Sequence, residues 1–179
     1  MSLLENNRIR LRALEPEDLA LLYQWENDSD LWSWGNSLIP YSHYTLKEYI
    51  LQAHRDIYDL KQLRLVVEQK SNNKAIGLID LFDFDPHHRR AGMGILIDKT
   101  SQKNGFASEA VDILCNYAFV FLKLHQIYVH IPVCNEVSTR LFSRCGFTQT
   151  GLLSDWIIAE NDYMDVLVMQ KINHSTTDQ

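Results

Sequence analysis

Between residues 107 and 122, apolar side chains at 107, 110, 111, 114, 118 and 121 keep the period of a helix buried along one face. Strand-like runs flank that segment, AGMGILID at 91–98 and HQIYVHIPV at 125–133. Strand, helix and strand in that order, from Gly94 to Val133, form a crossover that lays the two strands parallel in one sheet, with a right-handed connection. This unit sets the architecture, because a parallel pair needs a sheet that is covered by helices.

The rest of the chain is arranged around it. RIRLRAL at 8–14 alternates polar and apolar residues and predicts a half-buried strand. Glu15-Pro16-Glu17-Asp18 reads as a helix start, with Leu19, Leu22 and Tyr23 following at i, i+3 and i+4. Thr45 and Glu48 fit a capping box that opens a second helix reaching Tyr58. Strands are predicted at 63–69, 75–85, 147–159 and 163–172, with a short helix from Asn135 to Arg144. The order β-α-α-β-β-β-α-β-α-β-β describes an α/β fold, α+β in some schemes. Its central sheet is mixed and mostly antiparallel, with one splayed parallel pair and helices on both faces. No linker or repeat divides the chain, so residues 1–172 are expected to form one domain and 173–179 a frayed tail.

Composition excludes several classes. The formal net charge is −6 and the basic residues form no stripe, so the footprint of nucleic-acid binding is missing and cationic partners are favoured. No run approaches the roughly 18 apolar residues of a membrane span. MSLLENNRIR has no apolar signal core, and a cytoplasmic location is expected. Cys115, Cys134 and Cys145 are odd in number and unrelated in spacing, which reads as buried apolar filler and not as zinc ligands or disulfides. His87 and His88, adjacent on extended chain, should point apart, and no metal site is expected.

The sharpest local feature is the turn Gln102-Lys103-Asn104-Gly105-Phe106-Ala107, where a strand stops and a helix starts. The first amides of a helix lack internal partners, and the helix dipole makes them an anion site. Gly105 would let backbone approach a phosphate closely, although a glycine needed only for its φ angle explains the turn equally well. Neither G-x-x-x-x-G-K-[ST] nor G-x-G-x-x-G is present.

Q-x-x-G-x-A after a strand and before a helix resembles the coenzyme A pyrophosphate loop of the GCN5-related N-acetyltransferases (GNAT). A second stretch, Asn135-x-x-Ser138-x-x-Leu141-Phe142-x-x-Cys145-Gly146-Phe147, is similar to the strand–Asn–helix–Gly-Phe segment of that family. Both fall in the family's order, and the likeness runs nearly the whole chain. HHRRAG at 87–92 and RCGF at 144–147 most resemble the bacterial spermidine/spermine branch, with the ribosomal-protein branch as its neighbour.

The resemblance implies acetyl-CoA as cosubstrate. Its pyrophosphate would lie on Gln102, Lys103, Asn104, Gly105, Phe106, Ala107 and Ser108. The pantetheine arm would pair with strand amides at Ile95, Leu96 and Ile97, in the gap where the parallel strands part. The Ile97 amide would hold the oxyanion, while Asn135, Ser138 and Phe142 line the arm. Asn135 also reads as a plain helix cap.

An alkylammonium is protonated at neutral pH, so the reaction needs a proton acceptor. Asp80 and Asp83 are three apart on one strand and should face opposite sides. Asp83 is favoured as the base, with Phe82 and Phe84 turned into the core; Asp80 would follow those phenylalanines unless a bulge intervenes, and with one it joins the substrate-binding residues. Glu68 and His130 are further candidates. Glu26, Asp28 and Asp30 with Trp32 and Trp34 would make an ammonium site through charge and cation–π contact. Two departures from the polyamine branch stand out. Phe142 occupies the position of its acid tyrosine, leaving Tyr163 or Tyr128 to protonate the thiolate, and Gly92 replaces a glutamate. The expected activity is direct acetyl transfer to a primary amine, foremost a polyamine. A protein N-terminus as acceptor and a CoA-binding sensor with little catalysis are the alternatives, and a homo-oligomer is compatible with the sequence.

Overall fold

A computed structural model of the protein describes residues 3–28, 39–53, 55–159 and 162–174. Seven strands form one sheet in the order β1-β2-β3-β4-β5-β7-β6. They are β1 (Ile9–Arg12), β2 (Leu63–Gln69), β3 (Lys74–Asp85), β4 (Arg90–Ile97), β5 (Gln126–Pro132), β6 (Thr148–Ala159) and β7 (Asp162–Ile172). Only β4 and β5 run parallel; every other neighbouring pair is antiparallel.

The helices are α1 (Leu19–Glu26), α2 (His43–Gln52), α3 (Ile57–Leu60), α4 (Phe106–Val120) and α5 (Glu136–Arg144). A 3-10 turn at Pro16–Asp18 leads into α1. There Glu15 and Asp18 close a reciprocal cap, while Leu22 and Trp25 are the residues α1 buries; Tyr23 stays outside, stacked on His43 at 3.8 Å. The capping box expected at Thr45 is replaced by Ser42, whose hydroxyl accepts from the Thr45 amide at 3.0 Å. Nor does that helix reach Tyr58. It stops at Gln52, and Asp56 caps α3 separately by accepting from the amides of Tyr58 and Asp59.

The sheet separates two apolar cores. Ile79, Leu81 and Phe84 of β3 join Val111 and Leu114 of α4 and Ile127, Val129 and Ile131 of β5 on one side. On the other, Val66 and Leu78 pack against Leu22, Trp25, Leu46 and Ile50 of α1 and α2. Burial at about 25 cal/mol per Å² of apolar area is what holds each helix layer to its face. Cys115 and Cys145 belong to the larger core, whereas Cys134 is exposed, against expectation, with its sulfur 3.2 Å from that of Met164. His87 and His88 lie in a turn, not on extended chain, so their rings meet at 4.6 Å. Among the described residues no cluster of ligating side chains suits a metal ion, and no helix is long and apolar enough to cross a membrane.

Candidate active site

The parallel pair is short. β4 and β5 match at Arg90–Gln126, Ala91–Ile127 and Gly92–Tyr128, and then part. β4 stays paired with β3 as far as Ile97–Gly77, and β5 stays paired with β7 as far as Pro132–Val166. Beyond Gly92 a gap therefore opens between two strands that are each held only from outside. Along an extended strand backbone groups face alternate sides. The Asp98 amide donates to Ile76 O at 2.8 Å, towards β3, so the amides of Leu96 and Gly94 face β3 as well. Those of Ile95 and Ile97 face the gap. Gln102 agrees with that geometry, since its side-chain amide donates to the Ile97 carbonyl at 2.9 Å. Leu96 is thus set apart from its neighbours: its backbone serves β3 and its side chain packs on the α1–α2 core.

The turn that follows leads from the open end of the gap into α4. Lys103 and Gly105 both take left-handed backbone, with φ of +63° and +83°, and Gly105 becomes the N-cap of α4. A Cβ on Gly105 would have space, 3.9 Å from Arg8 Nη1, so the glycine serves the φ angle. Side chains brace the loop from within. Asn104 donates to the carbonyls of Ser101 and Gln102, and Ser108 donates to Gly105 O at 2.9 Å. Arg8 donates to Asn104 O at 3.0 Å, pairs with Glu109 and lies over the Phe106 ring, which is buried. The opening amides of α4 carry the partial positive charge of the helix start, beside exposed Gln102, Lys103 and Asn104.

Across the gap, the Asn135 side chain accepts from the Ser138 amide at 3.1 Å, so the capping role is present. Phe142 is only 4% exposed and packs edge-on against Phe147. It is a core residue here.

The opposite face of the sheet carries a cavity of about 410 Å3 lined by Asp83, Asp85, Arg90, Gln126, Tyr128, His130 and Gln170. Its shape depends on a bulge. The β3–β4 register shifts between Phe82–Gly92 and Asp85–Arg90, and Asp83 takes φ of +48°. The extra residue overturns the expected alternation: Asp80, Phe82 and Asp83 share this face, and only Phe84 turns into the core. Tyr128 donates to Asp83 Oδ2 at 3.3 Å. Burial first, then the neighbouring Asp83 carboxylate, push the Tyr128 phenol above its ordinary value.

Of the other expected acidic residues, Asp80 and Glu26 share one partner that sequence reasoning missed. Arg64 binds Asp80 through two nitrogens, at 2.7 and 2.9 Å, and Glu26 at 2.6 Å. The signal was in the β2–β3 hairpin, whose register sets Arg64 opposite Asp80. Asp28 pairs with Lys99 at 3.0 Å. Glu68 is 4% exposed and held by Arg10 and Arg12, so it cannot serve as the base. His130 is exposed and lines the cavity, 5.3 Å from the Tyr128 ring. Tyr163 is 61% exposed and lies seven residues along β7 from Gln170, the partner of Tyr128. That separation is about 23 Å at roughly 3.3 Å per residue. Asp30, Trp32 and Trp34 lie outside the described residues.

A parallel pair that opens beside a glycine-hinged helix start is the geometry in which a thioester arm can complete a sheet. The sequence profile of the Acetyltransferase (GNAT) domain matches residues 8–148. The chain belongs to that family and is an acetyl-CoA-dependent N-acetyltransferase. Among its relatives, spermidine N(1)-acetyltransferase of Vibrio cholerae is 33% identical over 90% of this chain and 91% of its own. The Escherichia coli K12 spermidine N(1)-acetyltransferase is 28% identical over 93% and 87%. The crystal structure of the V. cholerae spermidine N-acetyltransferase with CoA and spermine superposes with a TM-score of 0.83 at 32% identity, covering 93% of this chain and 96% of that one. A dodecameric structure of the V. cholerae enzyme in an intermediate state has a TM-score of 0.77 at 32% identity, covering 93% and 95%.

Proposed function

We propose that this acetyltransferase acts on a primary amine of a small polycation, a polyamine such as spermidine or spermine, by direct attack within a ternary complex. The observation that carries the proposal is the Asp83–Tyr128 pair. It sits where β4 and β5 part, on a cavity whose other carboxylate, Asp85, is 3.3 Å from Arg90. The V. cholerae relative, solved with CoA and spermine, supports the same substrate class.

In this reading the acyl arm lies along the gap side of β4, where the backbone amides of Ile95 and Ile97 face it. The amine attacks the carbonyl carbon, the oxyanion falls to the Ile95 amide, and the carbon–sulfur bond breaks. The Ile97 amide holds the arm instead, because it lies five residues along β4 from Gly92, the partner of Tyr128, or about 16 Å at roughly 3.3 Å per residue. The proton lost by the ammonium passes to Asp83, directly or through water. Tyr128, kept protonated, replaces Tyr163 as the donor to the departing thiolate, because it stands at the vertex of the gap. Asn135 and Ser138 flank the arm, and the α4 start with residues 102–108 holds the diphosphate. Asp80, Glu26 and Asp28 shape the acceptor side through Arg64 and Lys99. Residues 1–172 act as one domain of a homo-oligomeric enzyme in the cytoplasm. The relative's dodecamer and three unpaired thiols support assembly and a reducing compartment respectively.

The test is thiol release from acetyl-CoA with a panel of polyamines, amino acids and peptides. Turnover of spermidine or spermine above the others is expected, and preference for peptide N-termini would overturn the proposal. Phe142 in the acid tyrosine's place favours one other reading, a CoA-binding module with little catalysis. Thermal stabilisation by acetyl-CoA without any turnover would select it.

A further inference from the structure

Phe82 stands on the acceptor face of β3 between Asp80, locked by Arg64, and Asp83, held by Tyr128. Its ring lies across β4 at the vertex of the gap, where β4 has no side chains to offer. A Cβ on Gly92 would fall 2.3 Å from Phe82 Cε2, and one on Gly94 would fall 3.7 Å from Cε1. The first is a clash that only displacement of the ring relieves, and the second is ordinary contact. The ring also meets Tyr128 in a T-shaped contact, with centroids 6.3 Å apart and planes at 86°. Phe82 remains partly exposed, so one surface of the ring is open to an incoming molecule.

We infer that Phe82 is a specificity-determining residue: its ring, laid on the bare strand at Gly92 and Gly94, is the floor on which the reacting amine rests. It selects acceptors that carry the amine on unbranched, uncharged methylenes. This rests on the acetyl-transfer reading and deepens it. A methylene chain lies on an aromatic face with apolar burial, whereas a branch or amide beside the amine would be pressed against the ring and the Asp83 carboxylate. The ring also displaces water from the ammonium, which favours the neutral, nucleophilic form. The same ring fixes the edge against which Tyr128 packs.

The experiment compares kcat/KM for 1,4-diaminobutane with that for alanine amide, in the wild type and in Phe82→Ala, Phe82→Leu and Gly92→Ala. The wild type is expected to prefer the diamine. Phe82→Ala should cut that preference by about tenfold, the scale on which apolar pockets discriminate, and Phe82→Leu by less. The KM for acetyl-CoA should stay within about twofold, which a general loss of structure would not allow. Gly92→Ala displaces the ring and should reproduce the effect in a folded protein, and the Phe82→Ala/Gly92→Ala double variant should add nothing further. An active wild type whose preference survives in all three variants overturns the inference alone. A wild type silent with every amine overturns the acetyl-transfer reading and this inference with it.

Discussion

Two carboxylate clusters share one face of the sheet and differ in what answers their charge. Around Arg64, two acids from α1 and β3 meet one guanidinium that is 19% exposed, lies over the Tyr49 ring, and has its pKa pushed upward against the cost of its own burial. At the vertex of the gap, Asp83 meets a phenol, on a residue whose backbone is bent into the left-handed region. The first cluster is satisfied and holds α1 to the sheet. The second is left able to accept a proton. Acidic composition alone therefore does not mark the reacting group; the partner does.

The largest effect should come from Asp83→Asn, which keeps the shape and the turn preference but removes the base. Initial rates with acetyl-CoA and spermidine should fall about 10²–10⁴-fold, with little change in melting temperature. Arg64→Ala should do the reverse. It strands Asp80 and Glu26 without their shared cation and should cost about 3–5 kcal/mol in urea unfolding, the scale for breaking a buried pair. Substituting Phe142→Tyr should raise kcat by less than about tenfold, well below what a missing general acid would restore, if Tyr128 supplies the proton as proposed.

A smaller, sharper contrast is Asp83→Gly. Relief of the φ of +48° should stabilise the fold by up to about 1 kcal/mol while activity falls as in the asparagine variant. Opposite signs for stability and rate would mark strain kept for function. Both clusters also contain a tyrosine, Tyr49 or Tyr128, whose phenol burial pushes up. A raised phenol pKa contributes stability below the unfolded value of about 10 and loses it as pH rises through the folded value. The alkaline limb of kcat should accordingly lie above pH 10, and Tyr128→Phe should abolish it.

Element order was legible because hydrophobic period depends on near neighbours in the chain. The strand at 63–69 and the helices opening after Gly105 and Asn135 stand where the pattern puts them. The bulge at Asp83 was not legible. It arises from the β3–β4 register and from the Phe84 amide donating to Lys61 O, a contact that no alternation of polar and apolar residues encodes. Missing it sent Phe82 into the core and placed Asp80 and Asp83 on opposite faces. Ser42 was overlooked because Thr45 and Glu48 offered an equally good local cap. The turn at 102–107 was readable because glycine at a helix start has few local explanations. The Arg64 cluster needed three elements brought together before its members could be recognised as partners.

The fit of Phe82 against Gly92 also constrains how sequences of this kind can diverge. Any residue larger than glycine at 92 enters space the ring already fills, so an acid arising there in a single substitution would be selected against. The ring at 82 must first shrink or swing aside. Either way, a lineage reaching the glutamate-bearing form gives up the aromatic floor before or as it gains the acid.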